Sequence, residues 1–225
     1  MGRGILAASH GIQQAISTPA PPKTTADLPP VFHKIDWNTH QAIMHEMGQD
    51  GSEGQDYVST SKSWSVNAYL RSGGDMNAAN KASGWNLSEG EIRQIIQRMD
   101  GQMKPLSRNI QAVRFVGADM LKDLGLPAKA TPSIAAKLQQ MIQNGKLTEY
   151  TPKAYTSFST DAKKNVFTGK PIKINYQISK GAPCIMTTNA SESEGVLARK
   201  IKHKITGARW VKDAFGGKLE IDITV

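Results

Sequence analysis

The sequence predicts an α+β fold from two spacing patterns and their order. In the first two thirds of the chain, segments carry apolar residues three and four apart, the spacing of helices with one buried face; in the last third they fall two apart, the spacing of half-buried strands. Helices that precede the strands, instead of alternating with them, describe a segregated α+β architecture and not a doubly wound parallel sheet. No Gly-x-Gly-x-x-Gly turn is present either.

Residues 1–32 are rich in Ala, Ser, Thr and Pro, with Pro19, Pro21, Pro22, Pro29 and Pro30. Such a segment buries little apolar surface and reads as a flexible arm ahead of a single domain over 33–225. Gly48 to Gly54 is a glycine-rich loop. Residues 63–70 form a helix that stops at Ser72-Gly73-Gly74. Ser88-Glu89-Gly90-Glu91 is a capping box, in which the serine hydroxyl accepts from the third helical amide and the glutamate reaches back. Ile92, Ile95, Ile96 and Met99 then form the core-facing stripe of that helix. A further helix over 134–143 turns Leu138, Met141 and Ile142 inward and ends at Asn144-Gly145.

Ile172, Ile174, Tyr176 and Ile178 alternate with Lys173, Asn175 and Gln177, and Leu219, Ile221, Ile223 and Val225 alternate with Glu220, Asp222 and Thr224; both runs are strands with one buried face. Shorter strands are expected over 111–116, 154–158, 183–187 and 195–203. Lys200, Lys202 and Lys204 alternate tightly, and on a strand they would form one solvated face.

With 225 residues the chain can bury one substantial core. No apolar run is long enough to span a membrane, and Gly4-Ile5-Leu6-Ala7-Ala8 is too short for a secretory signal. The single cysteine, Cys184, excludes an internal disulfide and reads as a small buried hydrophobe. The five histidines have no metal-ligand spacing, so no metal is expected. A net charge of +9 attracts anions, which keeps open a nucleic-acid-binding module, although the basic residues are spread and match no recognition motif.

Three chemical elements stand in order along the chain. Arg114 sits in a strand between Val113 and Phe115, Ser157-Phe158-Ser159-Thr160 ends a strand, and Glu192-Ser193-Glu194 follows the polar loop 187–191. Each has an ordinary reading alone: a solvated strand arginine, hydroxyls that satisfy a local amide, an acidic turn. On a strand, Glu192 and Glu194 would share one face, and their repulsion would push one carboxylate toward a proton-accepting role.

The ordered set resembles the mono-ADP-ribosyltransferases of the bacterial toxin and ecto-enzyme type, known by an arginine on an early strand, Ser-x-Ser and Glu-x-Glu. Tyr57 with Asn67-Ala68-Tyr69-Leu70-Arg71 is similar to the family's N-terminal helical region, so the resemblance spans about residues 55–225. It implies N-terminal helices on two antiparallel or mixed β-sheets around an NAD cleft. It further implies NAD as substrate, an acceptor arginine on a host or target protein, and a toxin or effector that is secreted or injected, or a phage protein. Arg114 would grip the NAD pyrophosphate, with Ser159 and Phe167 also at the cofactor. Ser157 would hold Glu194, which would stabilise the ribosyl cation, and Glu192 would act on the acceptor. Phe167 reads equally as a core residue, and Trp37, Trp64, Trp85 and Trp210 read as packing or partner-surface residues. The chain departs from the family pattern at Phe158, where many members carry Thr, at Gly195 after the second glutamate, and in having no aromatic residue in the 187–191 loop. A degenerate member that keeps the fold without the chemistry is the third reading.

Overall fold

A computed structural model describes residues 29–58, 60–213 and 216–225; most of the expected N-terminal arm, residues 1–28, lies outside them. Residues Val31–Val225 form one compact unit.

Among the described residues, six α-helices precede or interrupt nine strands. Helix α1 (Trp37–Glu46) starts where the Asp36 side chain accepts from the Thr39 amide at 2.8 Å. The short α2 (Gln55–Val58) and α3 (Lys62–Ser72) follow, and α3 ends at Gly73 in the left-handed conformation. Then come α4 (Met76–Ser83) and α5 (Glu89–Gln102), where both hydrogen bonds of the expected capping box are present. Helix α6 (Pro132–Gln143) begins with the Thr131 hydroxyl capping the Ile134 amide and Pro132 in its first turn.

The strands are β1 (Lys104–Pro105), β2 (Ile110–Val116), β3 (Glu149–Tyr150), β4 (Thr156–Ser159), β5 (Ile172–Ile178), β6 (Pro183–Met186), β7 (Glu194–Leu197), β8 (His203–Val211) and β9 (Lys218–Thr224). They form one mixed sheet in the order β1-β6-β7-β4-β2-β5-β9-β8-β3, with β5 and β9 parallel. The two expected sheets are the two halves of this one: β2 and β4 pair only at Val113 and Ser159.

The alternation in β5 and β9 is realised, with Ile172, Ile174, Tyr176, Ile178, Leu219, Ile221 and Ile223 all buried. They belong to a core shared with α1, β2, α6 and β8. A second core lies among α2–α5 and receives Tyr155, Ile185 and Val196 from the sheet. Cys184 is fully buried.

Two expectations fail in the same region. Residues 195–203 are not one strand: β7 ends at Leu197, and β8 starts at His203 after a turn in which Lys200 has a φ of 63°. Lys200, Lys202 and Lys204 therefore share no strand face. Period-two spacing cannot reveal this break, because the turn rests on tertiary bonds such as Lys200 N to Pro152 O (2.9 Å).

Candidate active site

Arg114, Ser157, Ser159, Glu192 and Glu194 converge where the two halves of the sheet meet. Strand β4 pairs antiparallel with β7, setting Ser157 opposite Val196, Phe158 opposite Gly195 and Ser159 opposite Glu194. Side chains alternate along a strand, so Ser157, Ser159, Glu194 and Val196 share a face. Val196 belongs to the core under α2–α5, which places that face toward the helices.

Arg114 is anchored by Nη1 donating to Ser157 O at 2.8 Å. Glu194 opens β7, and its carboxylate accepts from the Ser157 hydroxyl and, at 3.4 Å, from Asn189 Nδ2. Its pKa is raised, chiefly by burial and further by the charge of Glu192, against the lowering effect of Ser157, Asn189 and Arg114. Burial also raises the pKa of Glu192.

Glu192 is not on a strand. It lies in a turn, and Ser193 takes a left-handed φ of 47°, a conformation that side chains with a Cβ adopt at a cost. The shared-face argument therefore does not apply to the pair, which a turn and not strand alternation brings together. That turn is fixed from β4. The Ser159 hydroxyl lies 2.5 Å from Glu192 O and 2.8 Å from Asp161 O, and the Thr160 amide donates to Ser193 O at 3.0 Å. Ser159 is buried and committed to these carbonyls. Thr187 donates both its amide and its hydroxyl to Glu194 O, each at 3.0 Å.

The two departures around the motif explain each other. A Cβ on Gly195 would lie 2.3 Å from the Phe158 ring, so the aromatic ring covers the glycine across the strand pair. Phe167 is 44% exposed and is not a core residue. Trp64 and Trp85 are exposed as well.

Several residues with no role assigned from sequence also reach this region. Asn67 and Arg71 lie four apart on α3, on one face of the helix. Asn67 Nδ2 donates to the buried Tyr57 hydroxyl at 2.6 Å, and Asn67 Oδ1 is buried with no partner among the described residues. Burial pushes Tyr57 up to about 12, and the charges of Arg114, Glu194 and Arg71 all act on it. Arg71 keeps surface open to solvent, yet lost hydration and then the Arg114 charge lower its pKa. Two guanidiniums close enough to repel form a place where an anion would relieve charge. The i, i+4 spacing of Asn67 and Arg71 was the available signal. Among the described residues no group of three or more His, Cys, Asp or Glu is arranged to hold a metal, and no helix is long and apolar enough to cross a membrane.

The family model for ADP-ribosyltransferase exoenzymes matches residues 32–225. No curated protein matches the sequence. Among solved structures, C3stau2 from S. aureus with NAD is 17% identical, with 88% of this chain and 97% of that one covered and a TM-score of 0.61. The Clostridium limosum C3 exoenzyme is 16% identical over 86% and 97%, also at 0.61. The ADP-ribosylating toxin BECa of a C. perfringens binary enterotoxin, with NADH, is 15% identical over 83% of this chain and 46% of its own, again at 0.61. These likenesses establish the fold. With the family match across residues 32–225, they show that this chain belongs to the ADP-ribosyltransferase exoenzymes.

Proposed function

We propose that the protein cleaves NAD and transfers ADP-ribose to an arginine of a target protein. The observation that carries this reading is the pair of raised-pKa carboxylates, Glu192 and Glu194, on one tethered segment, with Ser157 bonded to Glu194 and Arg114 bonded to Ser157 O. Arg114 and Arg71 hold the pyrophosphate, where a planar guanidinium gives two-pronged bonds to phosphate oxygens. Phe167, exposed on its loop, covers the nicotinamide. Ser159 acts through the backbone of Glu192.

In the reaction the nicotinamide–ribose bond breaks and its electron pair leaves with nicotinamide. The ribosyl group passes through an oxocarbenium-like state, and the Glu194 carboxylate opposite it supplies the compensating charge. A nitrogen of the acceptor guanidinium then donates its lone pair to the anomeric carbon, and the proton it loses passes to Glu192. A protonated guanidinium is a poor nucleophile, so the acceptor needs a base; a glutamine at 192 would orient it but take no proton. Burial that raises the Glu192 pKa strengthens it as that base. The target is a host-cell protein met after secretion or injection.

Labelled NAD added to a cell lysate with the wild type and the Glu194→Ala and Glu192→Ala variants tests the reading. Glu194→Ala is expected to abolish both protein labelling and NAD hydrolysis. Glu192→Ala loses about 10²–10⁴-fold in transfer while hydrolysis persists. Release of the label by neutral hydroxylamine identifies arginine. Label on nucleic acid, or resistance to hydroxylamine, refutes the acceptor, and equal labelling by wild type and Glu194→Ala refutes the site.

A further inference from the structure

His40 is fully buried on α1, and both its ring nitrogens engage residues that hydrogen-bond the segment carrying the glutamates. Nε2 lies 3.0 Å from Thr187 O; a carbonyl only accepts, so Nε2 bears the proton. Nδ1 lies 3.2 Å from Thr160 Oγ1. Burial lowers the His40 pKa to about 4, so the ring is neutral at pH 7 and Nδ1 accepts from the Thr160 hydroxyl.

The two residues that His40 hydrogen-bonds both bond the Ser193–Glu194 backbone. Thr160 N donates to Ser193 O, and Thr187 N and Oγ1 donate to Glu194 O. The same helix face frames the intervening loop. Trp37 stacks on His40 with ring centroids 4.8 Å apart, and Lys164 Nζ sits 5.6 Å from the Trp37 ring while donating to Ala190 O at 3.1 Å.

We propose that His40 is a positioning residue for ADP-ribose transfer: through Thr160 and Thr187 it fixes the Ser193–Glu194 backbone, and with it the direction of both carboxylates. This rests on the roles given to Glu192 and Glu194 above. Ser193 does not hold a φ of 47° by its own preference, so the surrounding bonds must impose it. A helix supplies a rigid reference for them, and reacting groups displaced by about 1 Å lose on the order of 10²-fold in rate. Arg114 is tied to Ser157 O independently of His40, so NAD affinity does not pass through this link.

The test measures nicotinamide release from NAD alone by the full chain, as kcat and KM, for wild type, His40→Ala, His40→Gln and Thr160→Val. His40→Ala is expected to lose about 10- to 100-fold in kcat with KM for NAD within about twofold. His40→Gln, which still offers an N–H to Thr187 O, recovers most of that loss, and Thr160→Val falls between. Should His40→Ala fail to fold, His40→Gln and Thr160→Val decide on the same split. Unchanged kcat in the hydroxyl and histidine variants, or a loss confined to KM, overturns the proposal. Amide hydrogen exchange gives a readout independent of activity. In His40→Ala the Thr160 and Thr187 amides should exchange about tenfold faster while β5 amides do not change. A wild type that releases no nicotinamide defeats the reading of the carboxylates, and the exchange rates still decide whether His40 holds the segment.

Discussion

The adjacent strands β2, β5, β9 and β8 have seven to nine residues, whereas β1, β4, β6 and β7 have two to four. The long half has an apolar inner face and an outer ladder of charges. Lys173 Nζ lies 3.0 Å from Glu220, Arg209 bonds both Glu220 and Asp222, and Asn175 Nδ2 reaches both carboxylates. The short half buries polar side chains as well as apolar ones: Thr156, Ser159, Thr160, Thr187 and Ser193. The candidate residues Ser157, Glu192 and Glu194 belong to the short half and Arg114 reaches them from β2, while the single pair between Val113 and Ser159 joins the two halves.

This contrast breaks most readily with a matched pair of substitutions. Ile221→Ala, in the long half, should lower stability by about 2–5 kcal/mol and leave KM for NAD unchanged. Glu194→Gln, in the short half, should reduce nicotinamide release by about 10²–10³-fold without lowering the melting temperature. Burial disfavours the ionised Glu194, so a neutral group there relieves a penalty at pH 7. Denaturant titration and steady-state kinetics on both variants check the pair; a lower melting temperature for Glu194→Gln would dissolve the distinction.

Acid pH sharpens it next. His203 is fully buried at the start of β8, its ring meets Tyr150 and Tyr176 edge-on, and neither ring nitrogen has a partner among the described residues. Burial, aided by the Arg114 charge, lowers its pKa from 6.5 to about 4. The folded pKa is depressed, so this stability is fully present above pH 6.5 and is lost as pH falls toward 4. His40 behaves alike on the catalytic side. Melting temperatures from pH 7 to 4 should fall less steeply for His203→Phe than for the wild type; parallel curves would mean that His203 is not one of the groups driving the loss.

The smallest effect concerns the fit between Phe158 and Gly195. Gly195→Ala places a methyl against the ring and should destabilise by about 1–3 kcal/mol. Adding Phe158→Thr should relieve part of that, and a double-mutant cycle on unfolding free energies measures the coupling. Strict additivity would show that the two departures from the family pattern are unrelated.

Much of the long half was legible. The alternation in β5 and β9 and the capping box of α5 are local patterns with local causes, and the structure realises them. Arg114, Ser157 and Glu194 were legible only as an ordered set, because a lone arginine, serine or glutamate on a strand has many uses. Helices α1 and α4 are short and start at side-chain caps from Asp36 and Asp75. The turn at Glu192 has no local cause, because its bonds come from the Ser159 hydroxyl and the Thr160 amide, 33 residues away. His40 lay outside any motif, since its two partners stand 120 and 147 residues along the chain.

By itself, then, the sequence determined which segments bury which face and which residue types the chemistry can draw on, since side-chain period and capping are properties of neighbouring residues. The tertiary structure decided that the two strand systems join at one residue pair, that Gly195 lies under Phe158, and that Glu192 and Glu194 meet across a turn held by Thr160, Thr187 and His40. Those outcomes depend on bonds and contacts between residues far apart in the chain, which no local pattern encodes.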